Sequence, residues 1–396
     1  MTAPEERAEA LRRTRNLKMA RSAHAYVRGS TVKFYEWLDA SFGRVPEGPP
    51  VWICGDCHVG NLGPLADAKG RVAVQIRDLD QTVIGNPAHD LIRLGLSLAS
   101  AARGADLPGV TTARVLENLT AGYEQALAGS FDGARDRNHR SQIIQDLLAR
   151  AVRRRWRHLA EERLDTVKPM VPLGKKFWAL APKEEEALRS LFGAPEIRAE
   201  IARLQGHGDA DAVRMVDAAY WMKGCSSLGR LRFAVMLRIG DGRRSDLCLM
   251  DVKEGVTAAA PRAVGVAMPR DNALRVVTGA RELSPHLGER MIPARLLNTG
   301  VILRELMPQD LKIEVEQLTE QEAVALAGYL GGVVGRAHGR QMDADTREKW
   351  RQELGRSRSA TLDTPSWFWS SVVDLLSIHE AAYLEHCRRY ALSEAA

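Results

Sequence analysis

Apolar positions along this chain fall into two textures. Residues 5–40, 110–128, 141–163 and 183–205 repeat apolar side chains three and four apart, the spacing of amphipathic helices. In the first of these, Tyr26, Phe34, Trp37 and Leu38 are expected in the core, and Val27-Arg28-Gly29-Ser30 interrupts the pattern. Val51-Trp52-Ile53 and Val72 to Ile76 are short apolar runs that read as buried strands. Near residue 220 the period changes. Leu231 to Ile239 and Asp246 to Lys253 alternate as strands, with Gly240-Asp241-Gly242 as the turn between them. A helix follows over Asp271 to Leu283, then a strand over Val301 to Leu306 that Met307-Pro308 ends. Thr319-Glu320-Gln321-Glu322 forms a capping box for a helix to about Gln341, whose Gly331, Gly332 and Gly335 call for a close neighbour. Helices and antiparallel strands in separate stretches predict an α+β fold.

Composition narrows the picture. At 396 residues and 45% hydrophobic, the chain can bury a large core and is expected to form two lobes. Five cysteines, an odd number, and a polar, charged stretch over residues 1–22 predict a reducing, cytoplasmic setting. No run of eighteen apolar residues predicts a membrane span. A net charge of +6 favours an anionic partner: a nucleotide, a phosphorylated substrate or nucleic acid. Arg153-Arg154-Arg155-Trp156-Arg157-His158 raises the third possibility. Without an aromatic ladder, however, it reads as a solvated helix face, so nucleic acid is not the expected partner.

The densest chemistry lies in Cys54-Gly55-Asp56-Cys57-His58-Val59-Gly60-Asn61 and Arg77-Asp78-Leu79-Asp80. An aspartate five residues ahead of an asparagine, on a loop leaving a buried strand, has the spacing of a phosphotransferase catalytic loop. There the Asp receives the proton of an attacking hydroxyl and the Asn holds magnesium. The strand over Val72 to Ile76 then delivers Asp78 where a second metal-binding carboxylate is needed, and Asp80, two residues on, faces the same way. Cys54 to His58 also fits the C-x-x-C-H haem attachment pattern. The lack of an export signal and the first cysteine's place at a strand end favour two small packed thiols instead.

Further on, Gly224-Cys225-Ser226-Ser227-Leu228-Gly229 is a small-residue loop of the kind that lets backbone N–H groups approach phosphate. Gly224, Ser226, Ser227 and Gly229 are its candidate nucleotide contacts. Lys253 ends the next hairpin, where a kinase lysine reaches the inner phosphates. Glu282, in the following helix, is the candidate acid for Lys253. Glu305 and Leu306, at the end of the last strand, are candidates for a hinge whose backbone takes the adenine edge.

Together these parts resemble the protein-kinase-like superfamily, especially aminoglycoside phosphotransferases and choline kinases. The resemblance rests on Gly55-Asp56 with Asn61, on Asp78-Leu79-Asp80, and on Gly85-Asn86-Pro87-Ala88-His89-Asp90-Leu91. Over nearly its full length the chain looks like the bacterial domain-of-unknown-function family 2252. The shared segments are Arg28-Gly29, the Cys-Gly-Asp-x-His-x-x-Asn tract that includes His58, and Lys253-Glu254. The kinase resemblance implies ATP with magnesium or manganese, Lys253 on the inner phosphates, Asn61, Asp78 and Asp80 as metal ligands, and Asp56 on the acceptor. Arg28 is a further candidate for contacting phosphate. Because the Gly-rich hairpin follows the catalytic loop here, the implied fold is circularly permuted. A helical lobe would run over 1–215, a β-rich nucleotide lobe over 216–310, and helices completing the first lobe over 311–396. The expected acceptor is a small hydroxyl or amine compound. A pseudokinase, a nucleotidyl or protein-modifying transferase, and a basic nucleic-acid-binding protein are the alternatives.

Overall fold

A computed structural model describes residues 6–41, 43–131, 142–164, 168, 170–204, 213–223, 228–240, 246–315, 318–356, 358 and 363–391. The architecture is α+β, with helices and antiparallel sheets in separate stretches. The first helical stretch is three short helices, α1 (Arg7–Met19), α2 (Ala23–Gly29) and α3 (Thr31–Ala40). The second break falls where Arg28-Gly29-Ser30 interrupts the apolar period, and the first, at Ala20 to Ser22, is one the pattern does not predict. Strand β1 (Val51–Ile53) leads into the Asp56 loop, which closes in a 3-10 turn, Val59–Asn61. Strands β2 (Leu62–Ala66) and β3 (Val72–Ile76) pair as a hairpin, and β4 (Val83–Gly85) returns to pair with β1.

Pro87 starts α4 (Pro87–Gly104), capped by the Asn86 side chain accepting from the Ala88 N–H. This helix is buried on nearly every face. Helices α5 (Gly109–Leu127) and α12 (Glu320–Gly339) pack against each other through glycine. A methyl group on Gly122 would stand 1.9 Å from the Gly328 carbonyl oxygen, and one on Gly331 2.1 Å from that of Leu119. Helices α6 (Gln142–Arg153) and α7 (Trp156–Leu164), and α8 (Pro182–Gly193) and α9 (Pro195–Leu204), divide what the periodicity reads as two continuous helices. Helices α13 (Ala344–Gly355) and α14 (Ser366–Tyr390) complete the helical part.

The large sheet is antiparallel, in the order β5 (Phe177–Trp178), β6 (Val213–Trp221), β7 (Arg232–Ile239), β8 (Asp246–Glu254), β10 (Thr299–Glu305), β9 (Met291–Leu296). Between β8 and β9 the chain forms α10 (Asn272–Leu283) and the short α11 (Pro285–Gly288). Helix α10 buries Ala273, Val276, Val277, Ala280 and Leu283, and these join the main core with Ile302 and Met291 from the sheet. Among the described residues no helix is long and apolar enough to cross a membrane.

Candidate functional site

The hairpin register explains how two distant motifs meet. Leu62 pairs with Ile76, and the Arg77 N–H donates to the Asn61 carbonyl at 2.7 Å. Asn61 and Asp78 therefore leave the open end of one hairpin side by side. The Asn61 carboxamide nitrogen donates to the Asp56 carbonyl at 3.0 Å, which closes the loop and keeps the carboxamide oxygen as an available acceptor.

One face of α4 holds this loop. Asp90 is fully buried and accepts from the Cys54 N–H at 2.7 Å and the Gly55 N–H at 2.9 Å. One turn on, Arg93 Nε donates to Asp56 Oδ1 at 2.8 Å, and a further turn on, Ser97 Oγ accepts from the Val59 N–H. Asp90, Arg93 and Ser97 stand three and four apart, so a single helix stripe fixes the loop. Behind Asp90, His338 Nε2 lies 3.1 Å from its Oδ2, and His338 Nδ1 lies 3.0 Å from the Tyr123 hydroxyl. His338 is thus packed structurally, between Asp90 and Tyr123. Gly55 takes φ +76°, and a methyl group there would strike the Gln81 carbonyl oxygen at 2.1 Å.

Asp56 is 7% exposed. Its other oxygen, Oδ2, accepts from Thr31 Oγ1 at 2.8 Å. Burial raises its carboxyl above the ordinary range although Arg93 and Thr31 pull the other way. That direction suits a group that must accept a proton. His58, beside it at 4.0 Å, is buried, and burial together with Arg28 and Arg93 holds its imidazole well below the usual histidine range.

Lys253 reaches into the same site from β8, placing its ammonium 3.3 Å from Asp78 Oδ1 and in contact with Asp80. The two carboxylates respond as a pair. Burial and the neighbouring charge of Asp78 push Asp80 up to about 6. Burial would also raise Asp78, but Lys253, Arg232 and Arg304 bring it below the carboxylate range. The Asp78 side chain is 45% exposed against 17% for Asp80, so solvent screens part of that pull. Asp78 is the open member of the pair. A cleft, partly open to solvent, lies over these groups. Arg77, Arg232, Arg304 and Lys253 bring cations to it, and Val276, Leu287, Met291 and Ile302 supply an apolar wall.

Three sequence expectations need correction or fall outside the description. Glu282 is exposed and lies off the buried stripe of α10; Asp78 and Asp80 are the acids that meet Lys253. The hinge backbone at Glu305 and Leu306 is already engaged. The Glu305 N–H donates to the Arg290 carbonyl and the Leu306 N–H to that of Leu249, while the Glu305 carbonyl accepts from Arg290 Nη1. Arg290 was not visible as a competitor from sequence. Gly224, Ser226 and Ser227 lie outside the described residues; Gly229 is described, with φ +94°. Arg28 sits with its guanidinium over Gly60, in the loop between Asp56 and Asn61.

Asp90 lies in the Gly85–Leu91 tract that the sequence singles out, whereas Thr31, Arg93 and Ser97 are site residues that no motif marks. The available signal was three polar side chains on one stripe of the otherwise apolar Pro87–Ala102 run. The haem pattern fails on burial, because Cys54, Cys57 and His58 are all under 5% exposed. Ligand atoms of Cys54, Cys57 and Asp90 lie within 4.8 Å of one another. However, the Asp90 oxygens are spent on backbone N–H groups and His338, and the Cys57 hydrogen bond and burial push the Cys54 thiol up. In the arginine run, Arg154 is spent on the Pro308 carbonyl and Glu162, and Arg157 on Glu161.

The fold and loop define an α+β protein with a charged cleft between the Arg77–Asp80 loop and the large antiparallel sheet. The chain belongs to the family of uncharacterized proteins conserved in bacteria, DUF2252, whose family model matches residues 7–389. No curated protein and no solved structure matches the chain.

Proposed function

We propose that the protein is an ATP-dependent phosphotransferase with a kinase-like two-lobed fold in circularly permuted order. The observation that carries this reading is the contact of Lys253 with Asp78 and Asp80 across a sequence separation of 175, beside a loop in which Asn61 stands next to Asp78 and bonds back to the Asp56 carbonyl. The order of elements supports it: the β6–β7 hairpin, then Lys253 on the third strand, then α10 packed on the sheet, as kinases arrange their nucleotide lobe.

The donor set fits the ion such chemistry uses. The Asn61 carboxamide oxygen and the Asp78 and Asp80 carboxylates are hard oxygen ligands, suited to magnesium and also to manganese. These residues would hold the ion, which neutralises charge on the transferring phosphate. Lys253 would face the phosphates of the nucleotide, with Arg232 and Arg304 nearby, each already paired to a carboxylate, Asp251 and Asp310. The apolar wall of Val276, Leu287, Met291 and Ile302 covers its base. Asp56, held by Arg93 and Thr31, orients the acceptor and receives the proton from its hydroxyl or amine as that group attacks phosphorus.

A second reading, a nucleotide-binding protein without turnover, draws on Lys253: its ammonium already bridges both acids that a metal would need. Substituting Asp56 separates the two. Asp56→Asn should lower phosphate release from ATP by on the order of a hundredfold to ten-thousandfold while nucleotide affinity holds. Wild-type binding without any release would leave the second reading standing, and release unchanged by Asp56→Asn would remove Asp56 from the chemistry.

A further inference from the structure

Beside the Asp56 loop stands a cluster of cationic side chains that the proposed chemistry does not use. Arg28 lies against the catalytic loop so closely that a methyl group on Gly60 would stand 3.0 Å from its Cζ and Nε. The Arg28 Nε is buried without a hydrogen-bond partner. Beneath it, His58 is 4% exposed with Nδ1 likewise unpartnered. A buried donor left unpaired costs stability, so the Arg28 Nε calls for an external partner.

Lys312 completes the group. The strand-like segment that carries it crosses the start of β2, where the Leu311 carbonyl oxygen would stand 2.5 Å from a methyl group on Gly63. Asp310 pins the segment: its carboxylate takes Arg290 and Arg304, and its carbonyl takes Arg77. Leu311 and Ile313 are buried and Lys312 points out. Its cationic neighbours are Arg28, Arg77 and Arg163. The nearby acid is Glu162, and that carboxylate is paired with Arg154 and Arg163. The cations around Lys312 therefore outnumber the acid left free to balance them, since Glu162 is already paired.

We propose that Arg28 and Lys312, with His58 beneath them, form an oxyanion subsite that takes a carboxylate or phosphate of the acceptor. The acceptor is then an anionic hydroxyl or amine compound rather than a neutral one. That the anion belongs to the acceptor rests on Asp56 being the acceptor-side residue of the proposed phosphotransferase. The planar Arg28 fork suits both anions, because each offers two oxygens at matching separation.

The test is calorimetric titration of the full chain with inorganic phosphate, and separately with acetate, at constant ionic strength. Wild type, Arg28→Gln, Lys312→Gln and Lys253→Gln are compared. The expected result is saturable binding in wild type that Arg28→Gln weakens about tenfold or more. Lys312→Gln should weaken it several-fold, and Lys253→Gln should leave it in place. Tighter phosphate than acetate assigns a phosphorylated acceptor; the reverse assigns a carboxylate. Lys312 is exposed, so its variant decides alone if Arg28→Gln fails to fold. Wild-type protein that binds neither anion, or binding indifferent to both substitutions, overturns the subsite. Displacement of the bound phosphate by ATP–magnesium overturns it as well, by assigning the cations to the donor. Phosphate binding that needs Arg28 in a protein blind to nucleotides would keep the subsite and remove the phosphotransferase reading.

Discussion

The Asp56 loop depends on a carboxylate that touches no candidate ligand, and removing it measures how strongly the fold preorganises the site. Asp90 is fully buried and accepts from the Cys54 and Gly55 N–H groups and from His338. Asp90→Ala orphans two buried backbone donors at about 1–3 kcal/mol each and strands the His338 ring nitrogen, a loss of roughly 3–6 kcal/mol. Asp90→Asn keeps one acceptor oxygen and turns an amide toward the second donor, for about 1–3 kcal/mol. Against a total stability of about 5–15 kcal/mol, both are readable by urea unfolding at neutral pH. Hydrogen exchange should report the local event. The Cys54 and Gly55 amides lose protection in both variants, ahead of the α5–α12 core. A loss under 1 kcal/mol in Asp90→Ala, or amides that stay protected, would refute the view that Asp90 holds the loop.

Other consequences can be checked in the same way. Gly331→Ala should destabilise by about 1–3 kcal/mol, because its methyl group meets the Leu119 carbonyl at 2.1 Å and α5 must move. Gly355→Ala, with open space around it, should stay within about 0.5 kcal/mol in the same thermal melt. His379 is 1% exposed, and burial with the nearby Arg93 pulls its imidazole down to about 4. Between that value and about 6.5 the unfolded chain binds the proton and the native chain does not. Stability is therefore full above pH 6.5 and falls as the pH drops toward 4, by roughly 3 kcal/mol from this group. His379→Phe should flatten that acid limb of a stability–pH curve, and an unchanged limb would show the histidine plays no part in it.

Much of the site was legible because its parts are local. The runs Val51-Trp52-Ile53 and Val72 to Ile76 are strands at those bounds, and the loop that leaves the first carries Asp56 and Asn61; the strand Leu62–Ala66 that follows it is not anticipated. What escaped depends on contacts distant in sequence. Strand β6 hides its alternation behind an irregularity between Met215 and Asp217, which shifts the register against β7. Strand β9 contains Pro293, which reads as a break yet is tolerated because β9 is a sheet edge. Glu282 could have been set aside from periodicity, since the apolar stripe at 273, 276, 277, 280 and 283 leaves it outside. The hinge expectation failed through Arg290, a fully buried arginine whose bonds to Glu305 and Asp310 no local pattern announces. Arg93 escaped for a related reason: a lone arginine in an apolar helix gives no hint of the carboxylate 37 residues earlier that it holds.

The most direct test is thermal unfolding with and without ATP–magnesium, on wild type and Asp78→Ala. Ligand that binds the folded state alone adds about 2.7 kcal/mol at a hundredfold excess over Kd. The account predicts a raised Tm in wild type that Asp78→Ala loses. No shift in wild type, with nucleotides varied and manganese in place of magnesium, would contradict it.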